Sequence, residues 1–290
     1  MGLFATLLDQ FKALTLAALA GPLLLIPFIA AEQLRPLGRR PRFGDYGLNI
    51  LVNFTTLYLS LPFAMAAAAC SARIRLQLPC RPIGLSFHSL AAVPAIGPGL
   101  EIVAMIFIPL VLRDLWFYWA HRIEHQIPAL WAFHKLHHSD ELMNASTFAR
   151  DHFLQAAWIA IIPAFSLGLL FDLSLAEAGQ SALLSTLFLT LLSMFYHSAL
   201  RVRLGWLDLV LVTPQAHRIH HSTDPAHYNR NFADALPIFD ILFGTYHRPA
   251  REEFPATGLG DLMPAPRSIW AAQFGPAVAA ARLLRPVRGA

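Results

Sequence analysis

The chain alternates between long apolar stretches without charge and short polar segments. The uncharged stretches cover residues 13–31, 46–72, 153–171 and 178–196, and a fifth apolar stretch near residues 100–120 contains Glu101, Arg113 and Asp114. Each approaches or exceeds the roughly 20 residues that a helix needs to cross a hydrocarbon core. The pattern predicts an all-α integral membrane protein with four to five transmembrane helices arranged in hairpins.

The polar segments divide this pattern into three parts. Residues 1–120 hold N-terminal transmembrane helices, residues 121–250 hold a catalytic region with a transmembrane hairpin at 153–196, and residues 251–290 form a C-terminal tail. We expect them to act functionally as one domain. The tail carries Trp270 and several arginines, so either an interfacial helix or a loosely ordered tail is expected there.

Composition supports a membrane protein. Hydrophobic residues make up 56% of the chain and charged residues only 14%, against about 25% charged in an ordinary soluble domain. The net charge of +4 comes almost entirely from arginines next to the apolar stretches, so nucleic acid is not an expected partner. The first apolar stretch lacks a basic leader and a convincing cleavage site, which favours a retained helix. Cys70 and Cys80 form no metal or redox pattern.

The order of the apolar stretches predicts which side of the membrane carries the polar segments. A hairpin leaves and re-enters on one side, so residues 121–152 and everything after residue 197 share a face. With five spans, the arginine-rich loop 35–42 lies on that face too, and excess Lys/Arg marks the cytosol. We therefore expect a histidine-rich helical cap facing the cytosol at an inner or cytoplasmic membrane. Residues 82–100 carry no formal charge; a crossing there would place the arginine loop opposite the histidines, which the charge rule disfavours.

Thirteen histidines are unevenly placed along the chain. Nine of them fall in an HxxxH motif, two HxxHH motifs and one position at the end of the apolar stretch 178–196: His121, His125, His134, His137, His138, His197, His217, His220 and His221. On a helix, residues at i, i+3 and i+4 share a face, so each motif presents its imidazoles side by side. Neutral imidazole suits iron, zinc, copper and nickel. The nine side chains are the predicted metal ligands and catalytic residues.

The number of imidazoles indicates more than one ion. A single zinc would need about four ligands, whereas two six-coordinate ions offer about twelve positions. The chain contains no Glu-x-x-His motif, which excludes the carboxylate-rich di-iron bundle. Asp114 lies seven residues before His121 on the same helical face, so it is expected either to orient a ligand imidazole or to pair with Arg113. The isolated His88 and His227 are expected to be surface or hydrogen-bonded residues.

These motifs together resemble the fatty acid hydroxylase/sterol desaturase superfamily of membrane non-haem di-iron enzymes. The resemblance covers roughly residues 45–250 and rests on four segments: Asp114-Leu-Trp-Phe-Tyr-Trp-Ala-His121-Arg, Phe133-His134-Lys-Leu-His137-His138-Ser-Asp, Pro214-Gln-Ala-His217-Arg-Ile-His220-His221-Ser, and Asn231-Phe232 followed by Phe239-Asp240-Ile-Leu-Phe-Gly244-Thr. The chain departs from the family at Ala233, usually glycine, and at Phe239, commonly tryptophan. The family's Arg-x-His-Pro is here Arg150-Asp151-His152-Phe153, so His152 is only a secondary candidate.

The resemblance implies an O2-dependent di-iron enzyme that oxidises a C–H bond of a membrane lipid, such as a sterol or a fatty acyl chain. Hydroxylation, desaturation and ether cleavage share the same motifs and stay open. The chain shows no dinucleotide, flavin or haem signature, so the electrons are expected from an external ferredoxin or cytochrome b5 type donor with its reductase. Arg122, Lys135, Arg150 and Arg218 are candidates for docking that donor or for facing phospholipid.

A divalent-metal transporter or metal-binding membrane protein is the alternative. A transporter typically places ionisable ligands near the bilayer midplane, within broken helices. Here the histidine motifs lie at the ends of the apolar stretches, and nine donors are more than easy release allows. The sequence therefore favours the oxygenase.

Overall fold

The computed structural model describes residues 2–75, 77, 87–159, 161, 175–260 and 266–283. Over these residues the regular structure is helical, apart from an isolated antiparallel bridge between Ser222 and Thr257. The all-α prediction is confirmed for this part of the chain.

The described helices differ widely in length, from 33 residues to five. In chain order they are α1 (Gly2–Leu34), α2 (Phe43–Arg75), α3 (Gly97–Gln126), α4 (Pro128–His138), α5 (residues 153–159), α6 (Leu175–His197), α7 (Pro214–His220), α8 (Ile238–Leu242) and α9 (Ile269–Leu283). Short 3-10 turns lie between them, at Phe87–Ala92, Ala145–Ala149, Gly205–Leu209 and Pro225–His227.

A proline separates α3 from α4. Pro128 opens α4 at a position where its missing N–H is not needed, and it disfavours helical backbone at the residue before it. Ile127 is accordingly extended, with φ −99° and ψ 114°. The chain turns sharply there, and the rings of His125 and His134 come to lie 4.9 Å apart between centroids.

An apolar core packs α3 against α6 next to the histidine motifs. Tyr118 of α3, Tyr196 of α6 and Phe232 are each at most 2% exposed and belong to one cluster with Val212 and Leu236. Burial of such large side chains stabilises the fold by about 1.5–3 kcal/mol each. The cluster fixes the ends of α3 and α6, where His121 and His197 lie.

A buried polar layer joins the N-terminal helices to the segment after α4. Glu32 of α1 accepts the backbone N–H groups of Ala145 and Ala199, each at 2.8 Å. Asn49 of α2 donates to Ser146 Oγ at 3.0 Å and accepts from Arg150 at 3.0 Å. Arg150 is only 4% exposed, so its predicted place on a basic docking surface is wrong; it is part of this interior layer.

One helical stretch among the described residues is long and apolar enough to span a membrane, Phe43–Ala67 of α2. Shorter apolar stretches are Leu19–Leu34, Leu183–His197 and Ile269–Ala281. Most of the predicted stretch 153–171 and the turn after it lie outside the described residues, as does part of 82–100. The count of four to five spans therefore stays a prediction.

Most of the described C-terminal segment after residue 265 is a docked helix. Ala272 of α9 is fully buried in a cluster with Val52 and Leu136, and Gln273 donates to Thr56 Oγ1 at 2.9 Å. Trp270 on the outer side is 73% exposed and stacks on Phe274. Helix α9 thus packs on α2 and α4 and presents aromatic rings outward, while its place at a membrane interface stays a prediction.

Candidate metal centre

All nine predicted ligand histidines converge in the structure, in two adjacent groups. The five-histidine group contains His121, His125, His134, His138 and His220. The four-histidine group contains His137, His197, His217 and His221. Within each group the candidate donor atoms lie within 4.8 Å of one another. The rings of His138 and His221 stack across the boundary with centroids 4.4 Å apart.

The spacing of the HxxHH motifs distributes their histidines between the two groups. In α4, His134 and His138 are one turn apart and both join the five-histidine group, whereas His137 points into the other. In α7 the pattern is reversed, since His217 and His221 join the four-histidine group and His220 crosses to the other. Each HxxHH motif therefore serves both groups and fixes their separation.

Backbone carbonyls orient two imidazoles of the five-histidine group. His121 Nδ1–H donates to the Phe232 carbonyl at 2.7 Å, and His220 Nδ1–H donates to the Arg230 carbonyl at 2.8 Å. With the proton held on Nδ1, the Nε2 lone pair is free for a metal. The buried Nε2 atoms of His220 and His125 have no hydrogen-bond partner among the described residues.

A side-chain network orients His134, and sequence reasoning missed it. The Gln155 side-chain amide lies 2.6 Å from His134 Nδ1, and a Glu124 carboxyl oxygen lies 3.3 Å from the same atom. Trp158 Nε1–H donates to the other Glu124 oxygen at 2.6 Å. Burial raises the pKa of Glu124 to about 8, against the opposing hydrogen bond from Trp158. Two features of the sequence indicate this network. The polar Gln155 lies within an apolar stretch, and Glu124 lies between two candidate ligand histidines.

The four-histidine group has fewer such partners. His197 Nδ1–H donates to the Ser193 carbonyl at 2.9 Å, one turn back on α6. His137 Nδ1 lies 3.1 Å from Asp151 Oδ1, but not in hydrogen-bonding geometry. The buried Nδ1 atoms of His217 and His221 have no hydrogen-bond partner among the described residues.

The spacing of the ring nitrogens fits a metal ion in each group. His134 Nε2 lies 2.9 Å from Nε2 of both His121 and His138. In the other group, His217 Nε2 lies 2.9 Å from His197 Nε2 and 3.0 Å from His221 Nε2. Two nitrogens about 2.1 Å from one ion and at right angles are about 3.0 Å apart. A proton on one nitrogen of such a pair would make a hydrogen bond, whereas two lone pairs at this spacing would be stabilised by a cation between them.

Burial keeps these imidazoles neutral. Desolvation lowers the pKa of His121 to about 3, although the hydrogen bond to Phe232 opposes the shift. Desolvation and neighbouring imidazoles also hold the pKa values of other members well below the ordinary value, namely His125, His134, His138, His217, His220 and His221. Neutral imidazole is the form that binds a metal.

Asp114 does not contact an imidazole, and it does not pair with Arg113. Its carboxylate accepts the backbone N–H groups of Asp234, Ala235 and Leu236 at 2.7–3.0 Å. Arg113 instead pairs with Asp234. Both expectations for Asp114 are therefore wrong: the carboxylate holds the loop that follows Phe232, the residue whose carbonyl orients His121.

Asp240 holds the same loop from the other side. Its carboxylate accepts the N–H groups of Phe232 and Ala233, each at 2.8 Å, and the Thr245 hydroxyl at 2.6 Å. Gly244, after α8, has φ +74°, a left-handed conformation that glycine adopts without strain, and Thr245 then turns back to Asp240. This geometry gives the Phe239–Thr245 motif a physical role: it positions the Phe232 carbonyl.

The remaining histidines lie outside both groups. His152 is fully buried, but it bonds to the Gln273 carbonyl at 2.7 Å and packs on Phe133, so it joins α9 to the core. His88 pairs with Glu101. His227 is hydrogen-bonded, as expected; its partners are Ser222 and Glu253, and the His247 ring lies next to it. Sequence reasoning did not predict this third cluster.

Comparison with known proteins relates this part of the chain to a family. Residues 106–245, which include all nine candidate ligand histidines, match the fatty acid hydroxylase family model. The chain is 37% identical over 135 residues to alkylglycerol monooxygenase of Danio rerio, covering 46% of this chain and 28% of that protein. It is 35% identical over 157 residues to ornithine lipid hydroxylase OlsE of Rhizobium tropici, covering 53% and 45%. No solved structure matches.

A more distant relative is cholesterol 25-hydroxylase of Homo sapiens, 29% identical over 171 residues, covering 54% of this chain and 57% of that protein. The matched part thus spans between 28% and 57% of the length of these curated relatives. The family match begins within α3 and ends at Thr245, so it contains both histidine groups and the loop that orients them. Residues 106–245 of the chain therefore correspond to a fatty acid hydroxylase domain.

Proposed function

We propose that this protein is a membrane-bound oxidoreductase that hydroxylates a C–H bond in the alkyl part of a membrane lipid, with two iron ions and O2. Two interleaved groups of five and four imidazoles, all buried except the partly buried His125 and with nitrogens spaced for metal binding, carry this proposal. The names of the relatives support lipid hydroxylation over desaturation, since they describe two hydroxylases and one monooxygenase.

The five-histidine group would hold one iron and the four-histidine group the other. Imidazole suits iron, and nine imidazoles would leave about three of twelve positions on two six-coordinate ions for other ligands. When bound, the iron pair supplies activation of O2 for the oxidation of an unactivated carbon.

The protein's own groups hold and aim these donors. The carbonyls of Phe232, Arg230 and Ser193 keep the protons of three imidazoles on Nδ1, so that each Nε2 faces the metal position. Burial of the donors excludes bulk water, which protects a reactive oxidant from quenching. Rigid orientation of this kind places the reaction at one carbon of the substrate.

An apolar surface next to the centre suits the alkyl chain of a lipid. Leu115 and Trp119 on α3 are partly exposed, as are Leu242 and Phe243 at α8. The ring of Phe243 lies 4.8 Å from that of Trp119. His121, two residues beyond Trp119, points to another face of α3. The surface would hold a lipid chain beside the end of α3 that carries the five-histidine group.

Hydroxylation by O2 consumes two electrons and releases one oxygen atom as water, so the protein needs a reductant. We assign this role to an external ferredoxin or cytochrome b5 type donor with its reductase, which would dock on the cytosolic face of an inner or cytoplasmic membrane. Arg122, Lys135 and Arg218 are partly exposed and would contribute to this surface. We also propose that the protein crosses this membrane with the four to five helices that the sequence predicts.

Lipid analysis of an expression host tests the proposal. We would express the wild type, His137→Ala, His220→Ala and the control His88→Ala under 18O2, and compare lipid masses and the iron content of the purified proteins. Wild type and control should give a lipid that gains one labelled oxygen atom, with about two irons per chain. The two ligand variants should lose the labelled lipid and at least one of the two irons. Identical lipids in all four strains, or full iron in the ligand variants, would overturn the proposal.

A further inference from the structure

A third group of possible metal ligands lies outside the nine-histidine centre: His227, His247 and Glu253, here called the outer cluster. His227 Nε2 lies 3.0 Å from Glu253 Oε1, and His247 Nε2 lies 3.4 Å from Glu253 Oε2. The two imidazole rings are 5.1 Å apart between centroids. Their three donor atoms lie within 4.8 Å of one another.

The three side chains come from separate segments of the chain. His227 ends the 3-10 turn after α7, His247 follows α8, and Glu253 lies on the turn after residue 250. His247 and Glu253 lie beyond residue 245, where the family match ends. Of the outer cluster, only His227 lies within the matched region that contains the nine histidines.

The geometry of the outer cluster fits a tetrahedral ion. Donor atoms about 2.1 Å from such an ion are about 3.4 Å apart, and about 3.0 Å apart at right angles. The two measured nitrogen–oxygen distances, 3.0 and 3.4 Å, fall in this range. His227 Nδ1 lies 2.9 Å from Ser222 Oγ, the outer partner that a ligand imidazole usually has.

The outer cluster is also accessible. The side chain of His227 is 8% exposed, while those of His247 and Glu253 are 32% and 22% exposed. One ligand is thus fixed in the interior and two face outward, which leaves a path for an ion and an open side for water. We propose that His227, His247 and Glu253 bind one divalent transition-metal ion, for which zinc is the probe, in a two-histidine, one-carboxylate site.

The ion would brace the loop that orients the nine-histidine centre. Asn231 accepts from His247 N–H at 2.7 Å and donates to the carbonyls of His247 and Ala216 at 3.0 and 2.9 Å. Its neighbours Arg230 and Phe232 supply the carbonyls that orient His220 and His121. A metal ion bound by both His227 and His247 would link the chain before this loop to the chain after it, so the ion would have a structural role.

Zinc binding to the full-length, iron-loaded protein in detergent tests this site. Samples are incubated with zinc, dialysed, and measured for zinc and iron together. Wild type should retain about one zinc per chain in addition to its iron. His247→Ala and Glu253→Gln should lose that zinc with unchanged iron. The control His88→Ala, which breaks another histidine–glutamate pair, should keep it.

Cobalt substitution and thermal unfolding give independent readouts. Cobalt at the site should show visible absorption in wild type and in His88→Ala, and lose it in Glu253→Gln. Zinc should raise the unfolding temperature of wild type but not of His247→Ala. No extra zinc in wild type, or equal zinc in all variants, would overturn the proposal. Zinc gained with an equal loss of iron would place the ion in the nine-histidine centre and overturn it as well.

Discussion

The five-histidine and four-histidine groups differ in how firmly their imidazoles are held. In the first, His121 and His220 donate to backbone carbonyls, and His134 contacts Gln155 and Glu124. In the second, only His197 has such a bond, and the Nδ1 atoms of His217 and His221 have no partner within the described ranges. We call the groups that contact the far nitrogen of a ligand imidazole its outer partners. Outer partners fix the tautomer of a ligand and raise its basicity, so the two proposed metal positions should not be equivalent.

This difference indicates a division of labour between the two positions. The first has more donors, and more of them are oriented, so it should hold its ion tightly and in a fixed geometry. The second has four donors with freer rings, so it should adapt more easily when the ligands of its ion change.

The largest expected effect is the loss of a ligand from the smaller group. His197→Ala leaves three imidazoles there and five in the other group. Iron should fall from about two to about one per chain, and activity should fall by more than the roughly 10–100-fold typical of outer-partner mutations. Metal analysis with lipid turnover measures both. Loss of both irons together would show that the two positions bind cooperatively and would contradict their independence.

Chelation should separate the two positions in the wild type. Because the four-histidine group has fewer donors and fewer oriented rings, its iron should leave first, and release should show two phases. The time course of iron release to an excess of chelator measures this. In His125→Ala the larger group also has four donors, so the two phases should move closer together. One phase in wild type would argue that the groups are equivalent.

Outer partners should have intermediate effects that differ between the groups. Gln155→Leu removes the polar partner of His134, so iron affinity should fall by about 10-fold or more. Asp151→Asn should have a smaller effect, because Asp151 is 34% exposed and is not in hydrogen-bonding geometry with His137. Competition with a coloured chelator measures both affinities. A larger loss in Asp151→Asn would reverse the proposed order of the two groups.

The smallest expected effect is on the loop behind the five-histidine group. Asp240→Asn weakens the bonds to Phe232 N–H and Ala233 N–H and should destabilise the protein by about 1–3 kcal/mol. It should also weaken iron binding slightly, through the Phe232 carbonyl. Asp208→Asn is a matched control, since Asp208 accepts the N–H of Leu204 and orients no ligand. Equal iron affinity in the two variants would show that this loop does not affect iron binding.

The sequence predicted that the nine candidate ligands come together, but not how they divide into two groups. The i, i+3, i+4 spacing of His134, His137 and His138 suggested one shared face, whereas the structure turns His137 into a separate group. A spacing rule gives the side of a helix, but it does not say which neighbouring helix faces each residue. The partners of α4 come from α3, α6 and α7, and their placement depends on tertiary packing.

The orienting contacts were less predictable still. Two of them are the backbone carbonyls of Arg230 and Phe232, which have no side-chain signature in a sequence. Asp114 was expected beside an imidazole because of its helical spacing, but backbone N–H groups of a loop 120 residues away reach it instead. The all-α class was predictable because long uncharged stretches can be recognised from composition alone, and such stretches predict helices. The helical segment Phe43–Ala67 overlaps one of these stretches.

The sharp joint at Ile127–Pro128 has a consequence for the order in which the centre assembles. It brings His121, His125, His134 and His138 together within 18 consecutive residues, so four donors of one group need only a short loop closure. The other group requires contacts such as His137 with His197, 60 residues apart. During synthesis, the first half of the centre can form before α6 and α7 exist, and a nascent chain would acquire its two ions one after the other.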